Sequence, residues 1–514
     1  MLFSNAADAL TNHRIVMRDG EKQMSASDLY QEACKLATYL QEKGMRPGDR
    51  VLIAVPSGIE FIRLIYALIM TRALVAIIDP EMGRANYLKK LEQLQPQHAF
   101  IDSRLVLLNE HPIARFLLLR LSKQVPNIPR IKNCQLFAVG MWLPILQKHQ
   151  KLPKLGIQEG KIKPKSTSWT AAVPEDDALI IYTSGTLNEP KGVVHTTKSI
   201  DRSLELLAQL LSKGVNQRIA THLPHFILLG INAGLEVLTW DNTLSPAKKL
   251  AFIEKHQITT LFGPPADFLP LLHYLERHNA TFPSCLENIY LGSAPLYTAF
   301  LEKILARCGQ TQVTCLYGMT ENLMVCHQNA REKVSLDGEG DLVGTPFEGV
   351  RLQIADDGEV MLQSDQLFKG YDRMGSHDGT HATGDLGRID EHGRLWLLGR
   401  KKDMIIRRNF NLYPGLYEPT IHQIPGVHAA AMVGVYKEQL ADEEVFLVIE
   451  GDSNLQATQV MSLLQEGPFA IDREALPDQI LFLKLPRSGR QLKVDKNALR
   501  TYCTTSQTTL SPAV

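Results

Sequence analysis

The stretch FIRLIYALIMTRALVAIID, Phe61–Asp79, decides the fold. By hydropathy it approaches a membrane span, but Arg63 and Arg72 interrupt it and leave no apolar run near the roughly twenty residues a bilayer requires. The pattern therefore predicts a buried helix over about 58–72 and a buried strand over about 74–78. Upstream, Leu29, Ala33, Leu36 and Leu40 recur at helical spacing between Asp28 and Lys43. Gly44 supplies a stop, and Val51–Val55 reads as another buried strand. Helices alternating with continuously apolar strands predict a parallel sheet covered on both faces, and so an α/β fold.

A chain of 514 residues with 44% hydrophobic and 21% charged residues is long enough for two or more cores. Lys plus Arg and Asp plus Glu are both 55, so no global positive field exists to recruit nucleic acid. The seven cysteines (34, 134, 285, 308, 315, 326 and 503) show no CxxC spacing, which argues against a disulfide framework and a zinc site. The first twenty residues carry acids where a signal peptide needs an apolar core, so a reducing cytoplasm is the expected compartment.

Between Arg104 and Lys165 six prolines loosen the pattern, and part of it reads as linker. Within it ARFLLLRLSKQ is basic and amphipathic, and KHQKLPKLGIQEGKIKPKS carries six lysines against one acid. The pattern allows a peripheral membrane contact, although charge runs more often stay solvated. A second α/β region is expected over roughly 178–330. Beyond it GVRLQIADDGEVML and GRIDEHGRLWLLGR predict two hairpins, turning at Asp357-Gly358 and His392-Gly393, in a small antiparallel sheet or barrel. After Arg400 a compact mixed segment runs to about Tyr502, and the polar tail CTTSQTTLSPAV is expected to fray.

One segment carries a chemical signature by composition. In IIYTSGTLNEPKGVVH, Ile180–His195, an apolar strand enters a loop of Thr183, Ser184, Gly185 and Thr186, with Lys191 beyond it. Hydroxyls, exposed amides and one ammonium suit phosphate oxygens. GxxxxGK[ST] is absent, so the P-loop reading fails; a serine–glycine turn beside an ordinary lysine is the plain alternative.

Four further segments join this loop in resembling, in order, the motifs of the ANL superfamily of adenylate-forming enzymes, which includes acyl-CoA synthetases, peptide-synthetase adenylation domains and luciferases. Thr183, Ser184, Gly185, Thr186 and Lys191 resemble the family's phosphate loop, and Gly292, Ser293, Ala294 and Pro295 its adenine-contacting strand end. Tyr317, Gly318, Met319, Thr320 and Glu321 are similar to its most diagnostic motif. The resemblance implies an aromatic ring beside adenine, Thr320 at the α-phosphate and Glu321 on Mg²⁺. TGDLG makes Asp385 the implied ribose ligand with Arg400, and GRKKD places a hinge near Lys402. LPRSGRQLKVDKNALR resembles the last motif, with Lys493 as the implied catalytic lysine and Lys496 as second candidate. The implied acyl pocket takes His225, Phe226 and Gly230 on one side and Gly263 on the other, between apolar walls suited to fatty chains.

The resemblance implies a large N-terminal domain of α/β subdomains with a small β-barrel-like subdomain (1–400) and a small, mobile α+β C-terminal domain (401–514) that carries the lysine. It also implies ATP, Mg²⁺ and a carboxylic acid as partners, with CoA as acceptor. The chain departs from the pattern at Leu187 and Asn188 in the phosphate loop, and at Asn409 and Leu416, where the family has a glycine and a glutamate in the region lining the CoA tunnel. IDPEMGRANYLKKL, HLPHFILLG and KVD are also similar to β-lactone synthetases of olefin biosynthesis, which close a β-hydroxy acyl-adenylate on its own hydroxyl. A relative that binds without turnover is the remaining alternative; oligomeric state, acid and acceptor stay open.

Overall fold

The computed structural model describes residues 13–78, 84–110, 131, 133–140, 150–151, 173–183, 190–211, 217–241, 243–336, 338–375, 377–407, 410–437, 442–488 and 493–508. The fold is α/β, as expected. The chain divides into two compact units. One takes Met1–Phe262, Met319–Met324 and Asp365–Gly379, the other Gly263–Gly318, Val325–Ser364 and Thr380–Val514. The α/β region expected over 178–330 is therefore shared between them.

In the first unit the deciding stretch forms the helix Ile59–Met70 and the strand Leu74–Ile77. The two arginines that broke the apolar run are both committed. Arg63, 5% exposed, pairs with Glu60 at 2.6 Å and Glu32 at 3.3 Å. Arg72, at positive φ just past the helix, makes two 2.6 Å hydrogen bonds to Asp176. Burying an arginine is tolerable only with such partners. The preceding helix is Ala26–Glu42, opened two residues before the expected start by a Ser25–Asp28 capping box.

These helices cover an eight-stranded sheet in the order Gly370–Tyr371, Lys191–Thr196, Asp177–Thr183, Leu74–Ile77, Arg50–Ala54, His98–Asp102, Gln135–Val139, Gln150–Lys151. From Asp177–Thr183 to Gln150–Lys151 every pairing is parallel. Phe100 stacks on Phe137 at 4.8 Å in its core, worth about 1 kcal/mol beyond area burial. Within the stretch read in part as linker, Gln135–Val139 is a strand. Prolines surround it, but its own run QLFAV is apolar enough to join the sheet. A second parallel set in this unit takes Thr260–Gly263, Arg218–Thr221, Glu236–Thr239 and Ile15–Asp19, the last turning back into Lys22–Ser25.

In the second unit Asn288–Leu291 and Gln312–Met319 pair in parallel. Both expected hairpins form, Arg351–Ile354 with Glu359–Gln363 and His381–Ile389 with Leu395–Arg400, and each turns through a glycine at positive φ, Gly358 and Gly393. Asp341–Pro346 extends that antiparallel set. The C-terminal segment builds a three-stranded sheet from Val427–Lys437, Asp442–Gly451 and Gln479–Phe482, packed with the helices Pro414–Ile421 and Ala457–Gln465. The expectation of a frayed tail after Tyr502 is corrected as far as Thr508. The helix Lys496–Thr508 continues because Leu499 and Cys503, one turn apart, are fully buried against that sheet. Thr504 and Thr505 also return their hydroxyls to carbonyls one turn back. Among the described residues no helix is long and apolar enough to cross a membrane. The basic stretch from Arg115 to Lys165 lies largely outside the described residues.

Candidate active site

In the first unit the strands Asp177–Thr183 and Lys191–Thr196 are antiparallel partners, with Thr183 opposite Lys191. The segment that resembles the phosphate loop is thus the connection of a β-hairpin. Ser184, Gly185, Thr186, Leu187 and Asn188 lie outside the described residues, and of Thr183 only the backbone is described. The return strand carries His195, fully buried, whose Nε2 is 2.7 Å from the carbonyl oxygen of Thr320 and whose Nδ1 is 3.3 Å from Ser199 Oγ. Burial lowers the His195 pKa, opposed by the Thr320 carbonyl and Glu321. A neutral ring donating to Thr320 meets both facts, and it ties this hairpin to the segment Met319–Met324.

That segment is held from two more directions. Gln366, fully buried, accepts from the amide of Met324 at 3.1 Å and donates to its carbonyl at 2.5 Å, while Ser203 Oγ donates to the same glutamine at 3.0 Å. The Phe368 amide donates to the Glu321 carbonyl at 2.9 Å, and Tyr371 Oη donates to Glu321 Oε1 at 2.9 Å. Lys191 Nζ lies over the Tyr371 ring, 4.9 Å from its centroid. Burial and then Glu321 raise the Tyr371 pKa, which favours the protonated phenol as donor. A hard divalent cation suits a single carboxylate supplemented by phosphate oxygens and water. Among the described residues no cluster of three or more metal-ligating side chains occurs, so Glu321 fits Mg²⁺ only in that supplemented form.

The second unit holds the expected nucleoside residues. Asp385, 3% exposed, accepts from Tyr317 Oη at 2.5 Å on one oxygen and from Arg400 Nε at 2.7 Å on the other. Arg400 stands directly opposite Asp385 in the hairpin register. The Asp385 amide donates to Thr383 Oγ1 at 3.1 Å, which itself donates to the Val360 carbonyl at 2.8 Å. Burial raises the Asp385 pKa, with Arg400, the Tyr317 hydroxyl, Lys493 and Lys402 opposing it. Lys493, on the short strand Lys493–Val494, keeps solvent access, yet crowding by the protein lowers its pKa. Arg400 and Lys402 add to this, and Asp385 opposes it. These mutual effects place Lys493 in the electrostatic neighbourhood of Asp385 and Arg400. Lys496 is elsewhere engaged, donating to Glu418 at 2.7 Å.

Gly292 donates to the Gly263 carbonyl at 3.3 Å, and a Cβ on Gly292 would stand 3.0 Å from the carbonyl oxygen of Leu316, next to Tyr317. Gly263, Gly292 and the Tyr317 strand are therefore neighbours. Ser293, at φ 68, turns the chain sharply at the strand end, ahead of Ala294 and Pro295. Of the expected acyl pocket, Phe226 and Phe262 in the first unit pack with ring centroids 3.6 Å apart. Gly230 faces the sheet instead, where a Cβ would come within 2.8 Å of Val237 and 2.9 Å of Ile219. The side chain of His225 and residue Asn409 lie outside the description.

His195, Gln366 and Tyr371 escaped the sequence reading. Each acts through a partner more than forty residues away, and no local spacing announces that.

The first unit thus holds a hairpin whose connection ends at Lys191 and a carboxylate backed by a phenol, and the second holds a buried aspartate paired with arginine. The family model described as AMP-binding enzyme matches residues 3–372, and the chain belongs to that family, within the adenylate-forming superfamily its motifs resemble. It is an enzyme of the AMP-forming acid–thiol ligase class. The 3-[(3aS,4S,7aS)-7a-methyl-1,5-dioxo-octahydro-1H-inden-4-yl]propanoyl:CoA ligase of Mycobacterium tuberculosis (strain ATCC 25618 / H37Rv) is 30% identical over 351 residues, 64% of this chain and 67% of the relative. A long-chain-fatty-acid–CoA ligase of Bacillus subtilis (strain 168) is 26% identical over 455 residues, 80% of this chain and 79% of the relative. Among solved structures, ATP-bound MatB from Rhodopseudomonas palustris aligns with TM-score 0.77 at 22% identity over 98% of both chains. The amide bond synthetase McbA from Marinactinospora thermotolerans aligns with TM-score 0.77 at 19% identity, covering 98% of this chain and 100% of that one. At these identities both speak for the fold.

Proposed function

We propose that the protein activates a fatty or related carboxylic acid with ATP as the acyl-adenylate, releasing pyrophosphate, and then transfers the acyl group to the thiol of CoA, releasing AMP. The observation that carries this reading is Asp385, buried and ion-paired to Arg400, with Lys493 in the same electrostatic group. A buried carboxylate suits the vicinal hydroxyls of ribose, which can donate to the lone pairs that Tyr317 and Arg400 leave available.

Attack of a carboxylate on the α-phosphate brings two anions together, so the site must supply cations and oriented donors where charge develops. Lys493 orients the acyl carboxylate and stabilises the forming phosphate ester, its charge standing in the same electrostatic group as Arg400 and Asp385. Thr320 and the hairpin from Thr183 to Lys191 hold phosphates. Glu321, steadied by Tyr371, holds Mg²⁺, which supplies charge neutralisation to the phosphates when bound. Gly292–Pro295 and Tyr317 line the adenine. Phe226 and Phe262 form part of the apolar wall for the acyl chain.

We further propose that residues 1–400 form the adenylating domain and residues 401–514 a small lid carrying Lys493, with the hinge at Lys402, in a protein of the cytoplasm. ATP–pyrophosphate exchange over a panel of acids tests the reading. Acid-dependent exchange supports it, with fatty acids preferred. Nucleotide binding with no exchange for any acid returns the chain to a binder without turnover.

A further inference from the structure

We propose that Tyr371 is the positioning residue of the metal site, its hydroxyl fixing the Glu321 carboxylate while its ring face seats Lys191. The inference rests on the reading of Glu321 as the Mg²⁺ ligand and deepens it. Three observations converge. The phenol donates to Glu321 Oε1 at 2.9 Å. The Lys191 ammonium lies 4.9 Å from the centroid of the same ring. The segment around Tyr371 is clamped on both sides: it pairs with Val193 in the return strand of the phosphate hairpin, Lys369 and Asp372 donate their amides to Val194 and Gly192, and the Phe368 amide holds the Glu321 carbonyl.

One side chain thus accommodates a carboxylate and an ammonium through different surfaces, an edge donor for the first and a π-face for the second. A glutamate on a short turn samples several rotamers. A hydrogen bond to one oxygen selects one of them, so less ordering is lost when a cation binds, the usual contribution of a group supporting a metal ligand. Seating Lys191 on the ring holds its ammonium against the same side chain that steadies the carboxylate. The half-buried Arg50–Asp372 ion pair fixes the residue next to Tyr371, with bonds of 3.1 and 2.5 Å, and so anchors the arrangement to the sheet.

The test uses the full chain and Mn²⁺ as a paramagnetic probe, with bound Mn²⁺ read by electron paramagnetic resonance in the presence of α,β-methylene-ATP. Tyr371→Phe keeps the ring and loses the donor. It is expected to weaken Mn²⁺ about 10- to 100-fold and to raise the Mg²⁺ needed for half-maximal exchange, with the rate recovering at saturating Mg²⁺. AMP affinity measured without metal and the melting temperature are expected to stay at wild-type values. Tyr371→Leu should weaken ATP as well, through Lys191. Wild-type Mn²⁺ binding by Tyr371→Phe alongside lost binding in Glu321→Gln would overturn the inference and leave the metal reading standing. Wild-type Mn²⁺ binding by Glu321→Gln would overturn the metal reading, and the inference with it.

Discussion

Lys496 donates to Glu418 at 2.7 Å, and the same glutamate oxygen accepts from the Met432 amide at 2.8 Å. Glu418 is 6% exposed, so this pair joins the first turn of the last helix to the C-terminal sheet. The relationship separates the two lysines that the sequence alone left open. Lys496 is committed to structure, and Lys493 is the one set near Asp385 and Arg400.

Substituting each lysine should therefore give opposite phenotypes. Lys493→Ala is expected to slow acyl-adenylate formation about 10²- to 10³-fold with ATP binding and melting temperature retained. Lys496→Ala strands Glu418 and should cost on the order of 3 kcal/mol of stability, with the residual folded enzyme still adenylating. Exchange kinetics and thermal unfolding of both variants check this, and a Lys493→Ala enzyme with normal adenylation would contradict it.

Asp385 should show a conflict between stability and function. Its folded-state pKa is raised, chiefly by burial. The contribution is fully present below the ordinary aspartate range near pH 4 and is lost as pH rises through the raised value. Asp385→Asn is expected to melt at or above the wild-type temperature at pH 7 and to bind AMP at least tenfold more weakly. Calorimetric AMP titration and melting curves at pH 5 and 7 test both halves.

His195 carries the opposite sign. Burial lowers its pKa, so its contribution is present above the ordinary value of 6.5 and is lost as pH falls below it. Wild-type stability should drop by up to ~1.4 kcal/mol per pH unit there relative to His195→Gln, which keeps a donor for the Thr320 carbonyl and does not titrate. Parallel stability curves for the two proteins between pH 5 and 7 would refute a buried neutral ring.

Gly230 distinguishes packing from pocket. A Cβ would overlap Val237 and Ile219, so Gly230→Ala is expected to cost about 1–3 kcal/mol in stability while the preferred acyl chain length stays the same. A shift in chain-length preference without destabilisation would place Gly230 on the acyl wall.

Much of this was legible wherever the signal is local. Arg63 and Arg72 ruled out a span, and their ion pairs in the fold give the reason. The two hairpins were announced by Asp357-Gly358 and His392-Gly393, because glycine supplies the positive φ those turns need. Asp385 and Arg400 were nameable by resemblance, but their register across a hairpin was not. What escaped reading depends on distant partners. The strand Gln135–Val139 is recruited by an existing sheet edge, and the final helix survives its threonines because Leu499 and Cys503 find a core. Tyr371 meets Glu321 only after fifty residues of chain have returned to the phosphate hairpin.

The most direct test of the central claim is mass spectrometry of the products formed from ATP, Mg²⁺ and a mixture of fatty and β-hydroxy fatty acids, with and without CoA. The account predicts AMP with acyl-adenylate when CoA is absent and fatty acyl-CoA when it is present. Acyl-adenylate or a lactone with no thioester would contradict CoA as acceptor, and no acid-dependent AMP at all would contradict the account.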